Sequence, residues 1–330
     1  MRFRRVRTAA ACALVALMAS SVPAGACSVC RCGDPTFNAL GTGIFERGQF
    51  RLALDWERLE KSQGADDAEP GETHLGATSG LRTIASAHEG EHGGREELTE
   101  ERLVVTLSYA PTERLELVGR LPWSRRELRE EGESTSASGA GDPEFYALFR
   151  LWSAEWQQGL GRRSWLSLVG GLKTDWGENE QRRAGERLDE HLQSGTGSVD
   201  PFAGLSFVHL LDATSSLYGS AQYRRPGRND SGYRYGDALL ANAGYERKLG
   251  TRFDGTIELN YRDAAPDEID PEGETDPDTG GAILFVSPRL LLHLGRSIVA
   301  RVAVQIPVWD GLDGEQEEKT VINLGITASF

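Results

Sequence analysis

The chain has no apolar run approaching the roughly 20 residues that a helix needs to cross a bilayer, which excludes a helical membrane protein. It is short of basic charge, with 36 Lys and Arg against 50 Asp and Glu and a formal net charge of -14. Phosphate backbones are bound by basic stripes, so nucleic acid is not an expected partner. Past Cys32 there is no cysteine, and disulfides therefore cannot staple the body of the chain. No GxSxG elbow is present, and His209 and His293 are followed by Leu-Leu and Leu-Gly rather than by the x-Ser of a barrel phospholipase. No catalytic set is expected.

What is present begins with an export signal. Arg2, Arg4, Arg5 and Arg7 form a basic start, Ala9 to Ala19 is apolar, and Ala24-Gly25-Ala26 supplies small residues for cleavage. Residues 1–26 are read as a signal peptide, 27–47 as a Cys-rich periplasmic segment and 48–330 as the folded body. Cys12 leaves with the signal, so Cys27, Cys30 and Cys32 remain. This CxxCxC can converge on a soft ion, Cu(I) or Zn. Alternatively it forms one disulfide and leaves a free or acylated thiol. Haem attachment is excluded because Arg31 follows Cys30.

The body alternates with period two. Phe50, Leu52, Leu54 and Trp56 are interleaved with Arg51, Ala53, Asp55 and Glu57, and the same holds for Leu103 to Tyr109, Leu115 to Leu121 and Ile322 to Phe330. With weaker segments at Phe202 to His209 and Ile283 to Leu294, the pattern predicts about twelve strands of ~10 residues, long enough to cross a membrane at a tilt. Short turns at 110–113, 211–215, 248–251 and 295–297 alternate with long polar segments at 60–99, 124–141, 177–197, 226–236, 263–280 and 310–317. Only 154–163 is a longer turn than this rule expects. Trp56, Trp123, Trp176 and Trp309 fall at the long-loop ends of strands, while Trp152, Trp156 and Trp165 fall at the other ends, as in two aromatic girdles. The predicted fold is all-β: an up-and-down antiparallel transmembrane β-barrel in the cell outer membrane, both termini periplasmic. The ending on Phe330 resembles the insertion signal read by the barrel-assembly machinery, which is one expected partner; outer-membrane lipid and lipopolysaccharide are others.

The segment GAGDPEFYALFRL at 139–151 resembles an element of the outer-membrane transporters grouped as the phenol-degradation meta-pathway-like family. LQSGTGSVDPFAGLSF, YRYGDALLANAGYE, TGGAILFVSPRLLL, VAVQIPVWDG and ITASF are similar to its blocks in the same order, over residues 48–330. The resemblance implies a barrel channel or transporter for small polar, aromatic or metal-ion solutes. The N-terminal CSVCRCGDP lies outside that core. Two other readings stay open: a transition-metal-binding barrel for uptake or efflux, and a non-conducting structural barrel that docks a periplasmic protein through its Cys segment.

If the apolar phase faces lipid, the other phase lines the interior with Arg51, Asp55, Glu57, Arg102, Glu116, Arg120, Glu144, Arg150, Lys173, Asp175, Arg224, Glu246, Asp254, Glu258, Arg262, Arg301 and Gln305. Such a set of both signs either holds a constricted polar pore or closes it through ion pairs. In the longest loop His74, His88 and His92 lie among glutamates as a loose site for Zn, Cu, Ni or Co. His88 to His92 matches HExxH, but Gly90, Gly93 and Gly94 oppose the helix that zinc-protease chemistry requires. Asp270, Glu272, Glu274, Asp276 and Asp278 alternate like Ca ligands without the EF-hand glycine, and are read as associating with divalent ions that bridge lipopolysaccharide.

Overall fold

The computed structural model describes residues 47–63, 96–130, 133–155, 162–314 and 316–330. Twelve long strands follow in chain order: β1 (Phe50–Gln63), β2 (Glu96–Thr112), β3 (Leu115–Glu130), β4 (Glu144–Glu155), β5 (Arg162–Lys173), β6 (Asp200–Leu210), β7 (Ser215–Arg224), β8 (Ala238–Lys248), β9 (Phe253–Ala264), β10 (Gly281–His293), β11 (Ile298–Leu312) and β12 (Val321–Ser329). Each pairs antiparallel with its sequence neighbour. Closure comes from β1, which pairs with β2 from Phe50↔Tyr109 and with β12 from Arg51↔Ser329 to Arg58↔Ile322. Because the ring is closed, no full-length edge strand among the described residues is left with unpaired backbone groups, the condition for a sheet in hydrocarbon.

Alternation determines the two faces. Outward positions carry Leu52, Leu54, Leu107, Leu121, Phe149, Leu205, Leu259 and Ile326, each between 41% and 51% exposed, while the intervening residues Asp55, Glu57, Glu116 and Glu258 are at most 4% exposed. The molecule is thus apolar outside and polar inside, the inverse of a soluble sandwich and the arrangement of a barrel whose solvent is lipid. A few apolar residues face inward: Val118, Tyr146, Val169 and Phe202 form one cluster on the inner wall.

Turns at one end are short, as expected: β2 to β3, β6 to β7, β8 to β9 and β10 to β11 each reverse within four residues. The other end differs from expectation in one respect. The polar segment 124–141 is a hairpin rather than a loop: β3 continues to Glu130 and pairs with an outer strand, Glu133–Ala140, from Trp123↔Ala140 to Glu130↔Glu133. Likewise β1 and β2 remain paired to Gln63↔Glu96, and Gln316–Glu318 extends the ladder against β1. Above the aromatic girdle the outward face turns polar while the inner face mixes Leu59, Leu98 and Leu128 with Lys61 and Glu100, so the hydrophobic period weakens while the backbone ladder, which needs no apolar side chain, continues.

Candidate functional site

Ion pairs line the inner wall. Arg301 on β11 donates to Asp55 on β1 and, at 3.2 Å, to Thr327 on the intervening β12. Glu57 accepts from Arg102 at 2.7 Å and from Asn323 at 3.0 Å. Glu144 is shared by Arg120 at 3.0 Å and Arg224 at 2.6 Å, and Arg224 also lies 5.0 Å from the centre of the Phe202 ring. Across the barrel Glu258 takes Arg289 at 2.8 Å and the Tyr218 hydroxyl, and Asp254 meets His293 at 2.7 Å. Higher up, Glu318 pairs with Lys61 at 2.8 Å and with Arg262. Glu116 faces Arg51, Arg150 donates to the Glu113 carbonyl at 2.5 Å, and Gln305 is 3% exposed on the same wall. The lumen positions named from alternation that lie in strands here share the inner face; Asp175 does not, being exposed in the segment after β5. Breaking such a buried pair on one side costs about 3–5 kcal/mol, because a charge is left without its partner.

The long-loop end is closed over by the segment 174–199 between β5 and β6. The residue that holds it is Asp142, in the Gly141-Asp142-Pro143 break between the outer strand and β4. Proline lacks the N–H that would continue the ladder, and the chain turns the Asp142 carboxylate toward the loop. One oxygen accepts from the Gly177 N–H at 2.8 Å; the other accepts from the Thr196 N–H at 2.7 Å, the Thr196 hydroxyl at 2.9 Å and Lys173 Nζ at 2.9 Å. Lys173 also lies 3.0 Å from Asp200. A side chain at Gly177 would place its Cβ 2.6 Å from the Asp142 carboxylate, so the close approach requires glycine there. From the adjacent β3 Arg126 donates to the His191 carbonyl at 3.0 Å and the Gln193 carbonyl at 2.5 Å. Gln193 is fully buried; its side chain accepts from the Gln181 N–H at 2.9 Å and donates to the Leu188 carbonyl at 2.8 Å. The polar cavity left beneath this loop measures about 80 Å³, room for a few waters.

Two further loops brace the first. Asn229 orders its own turn by accepting from Tyr233 N–H at 2.9 Å, and donates to the Thr196 carbonyl at 3.1 Å. Asp267, in the loop after β9, accepts from the Gly236 N–H at 2.8 Å and from the Tyr233 hydroxyl, while its own N–H donates to Thr279 Oγ1 at 2.9 Å. Burial pushes the Asp267 carboxyl up to about 7, against the lowering effect of those two donors. Burial likewise pushes the His191 imidazole down and the Tyr233 hydroxyl up, the latter helped by the Asp267 carboxylate.

Cys27, Cys30, Cys32, His74, His88 and His92 lie outside the described residues. In the acidic loop Asp270 accepts from the Glu274 N–H at 2.7 Å and Asp276 from the Asp278 N–H at 3.0 Å. Among the described residues no three His, Cys, Asp or Glu side chains converge as they would on a metal ion. Asp142, Arg126, Gln193, Asn229 and Asp267 were not singled out from sequence. Of these only Asp142 carried a signal, as the aspartate of the GAGDP string that joins the polar segment 124–141 to the next strand.

A closed antiparallel ring with an apolar exterior and a charged interior is the fold of an outer-membrane β-barrel. An outer membrane channel from Pseudomonas putida F1 matches it with a TM-score of 0.63 at 13% identity, covering 88% of this chain and 98% of that one. More distant are the β domain of the Bordetella autotransporter BrkA, at TM-score 0.48, 11% identity and coverage of 86% and 100%, and a Pseudomonas aeruginosa FadL homologue, at 0.43, 12% and coverage of 89% and 94%. No family model and no curated protein matches the chain.

Proposed function

We propose that this protein is an outer-membrane channel that passes small polar solutes through its charged lumen, with the loop 174–199 as the constriction at its external mouth. The observation that carries this reading is the inner wall itself. From Asp55 and Arg301 up to Glu318 it is faced by charged and amide side chains paired strand to strand. A barrel that served only as a scaffold could fill the same space with apolar side chains at no desolvation cost. Paired charges of both signs instead offer exchange partners to a passing solute, each weak enough to release it. The likeness to the P. putida channel supports the same reading, as does the resemblance of residues 48–330 to the phenol-degradation meta-pathway-like transporters. On this reading the short-turn end and both ends of the barrel sequence face the periplasm, and Phe330, 76% exposed beside β1, is the residue offered to the assembly machinery.

Planar-bilayer recording tests the proposal. The purified protein should give discrete conductance steps, and Arg120→Glu with Arg224→Glu, which reverse two cations around Glu144, should shift the reversal potential in a salt gradient toward cation preference. Equal selectivity in wild type and variant, both conducting, would show that ions do not pass these residues.

A further inference from the structure

The outward face of β1 to β3 continues past the membrane band as a charged field. The register sets residues in rows across the three strands: Leu54, Val105 and Leu121; then Trp56, Leu103 and Trp123; then Arg58, Glu101 and Arg125; then Glu60, Thr99 and Glu127; with Glu97 and Arg129 above. These outward polar residues line a groove of about 370 Å³. Arg58 bridges Glu60 at 2.9 Å and Glu101 at 3.4 Å, and Arg129 pairs with Glu127 at 3.0 Å. The Arg58 side chain is still 43% exposed and that of Arg129 65%. Arg125, also exposed, has no ion pair or hydrogen bond among the described residues.

We infer that this groove is a docking site for the phosphorylated glycolipid of the outer leaflet, lipopolysaccharide, with its acyl chains on the apolar row and its phosphates on Arg58, Arg125 and Arg129. This rests on the reading that the long-loop end faces outward. Depth is the first argument. Successive residues on one face of a strand are ~7 Å apart, about 5 Å in height at a 45° tilt, so the charged rows rise from just above the Trp56 and Trp123 rings to roughly 15 Å beyond them. A phospholipid headgroup reaches only the lowest row; a headgroup of phosphorylated sugars spans the whole field. Chemistry is the second. Guanidinium groups bind phosphate oxygens in a bidentate manner, and the Glu60, Glu101 and Glu127 carboxylates suit the divalent ions that bridge such phosphates. Arg58 and Arg129 exchange half-exposed intramolecular pairs, weakened by solvent screening, for phosphate contacts.

Native mass spectrometry of the full-length protein with purified deep-rough lipopolysaccharide tests the site. Wild type is expected to retain one lipopolysaccharide and to prefer it over phosphatidylglycerol. Arg58→Ala/Arg125→Ala/Arg129→Ala should bind it about tenfold more weakly, Arg125→Glu alone should also weaken it, and Arg247→Ala at the short-turn end should bind as wild type does. Heat-modifiable gel migration confirms that each variant is folded. Unchanged binding by the folded variants, or equal retention of phosphatidylglycerol by wild type, overturns the inference. So does failure of a membrane-impermeant maleimide to label Asp230→Cys on intact cells above the wild-type background. Conductance of the same preparations in phospholipid bilayers reports on the channel reading alone, so the two can fail separately.

Discussion

Replacing Asp142 by alanine should release the loop over the mouth without unfolding the barrel. The carboxylate accepts two backbone N–H groups, one hydroxyl and one ammonium, all within 2.9 Å. Hydrogen bonds to a charged group are worth about 1.5–3 kcal/mol each, and breaking a buried pair costs about 3–5 kcal/mol. Lys173 keeps Asp200 at 3.0 Å, and Arg126 keeps its two carbonyls, so the loss falls toward the lower end, about 3 kcal/mol. That shifts the ratio of docked to released loop by about a hundredfold. The barrel ladder takes no hydrogen bond from this side chain, and heat-modifiable migration should be retained. In single-channel recordings the variant should spend more time open, at higher conductance. Trypsin should cut faster at Arg182 and Arg183, both exposed in that loop. A folded variant with wild-type traces and wild-type cleavage would refute the assignment of the loop as the constriction and of Asp142 as its tether.

Two other outcomes follow from the same contacts. Asp267 titrates near 7 in the docked loops against 3.8 for a free aspartate, so docking takes up a proton between those values; its stabilising contribution is full below about pH 4 and is lost as pH rises through 7. The upper bound is about 4 kcal/mol, set by burial of the carboxyl, which Asp276 reinforces and Tyr233, Gly236 and Lys61 oppose. Amide exchange at Gly236 should therefore be slower at pH 5 than at pH 8 after correction for intrinsic rates, and Asp267→Asn should abolish that difference. In the lumen, Arg301→Met should destabilise the barrel by about 3–5 kcal/mol in urea unfolding from lipid, because Asp55 is left buried without its partner. Adding Asp55→Asn should recover most of the loss; no recovery would mean that Arg301 acts through packing or Thr327 instead.

Much of this architecture was legible along the chain. Alternation from Phe50 to Trp56 and from Ile322 to Phe330 assigned each side chain to one face, because successive residues of a strand point to opposite sides. Glu57, Arg102 and Arg301 could thus be placed inside before any contact was known. The signal weakened where the outward face turns polar and Leu128 is the one apolar residue left, which is why the ladder from Ser124 to Glu130 read as a loop. It was absent for Gln193, Asn229 and Asp267, whose roles depend on backbone atoms supplied by distant segments.

Local periodicity by itself determined the strand number, the sidedness of residues within the membrane band and the ends at which long loops lie, since these need only the geometry of a single strand. Tertiary closure decided which charges meet: Asp55 reaches Arg301 because β12 pairs with β1, and Asp142 reaches Thr196 because the loop folds back over the mouth. A carboxylate has the same composition and period whichever cation it faces. Its partner is selected only when ring closure and loop packing bring one within hydrogen-bonding distance.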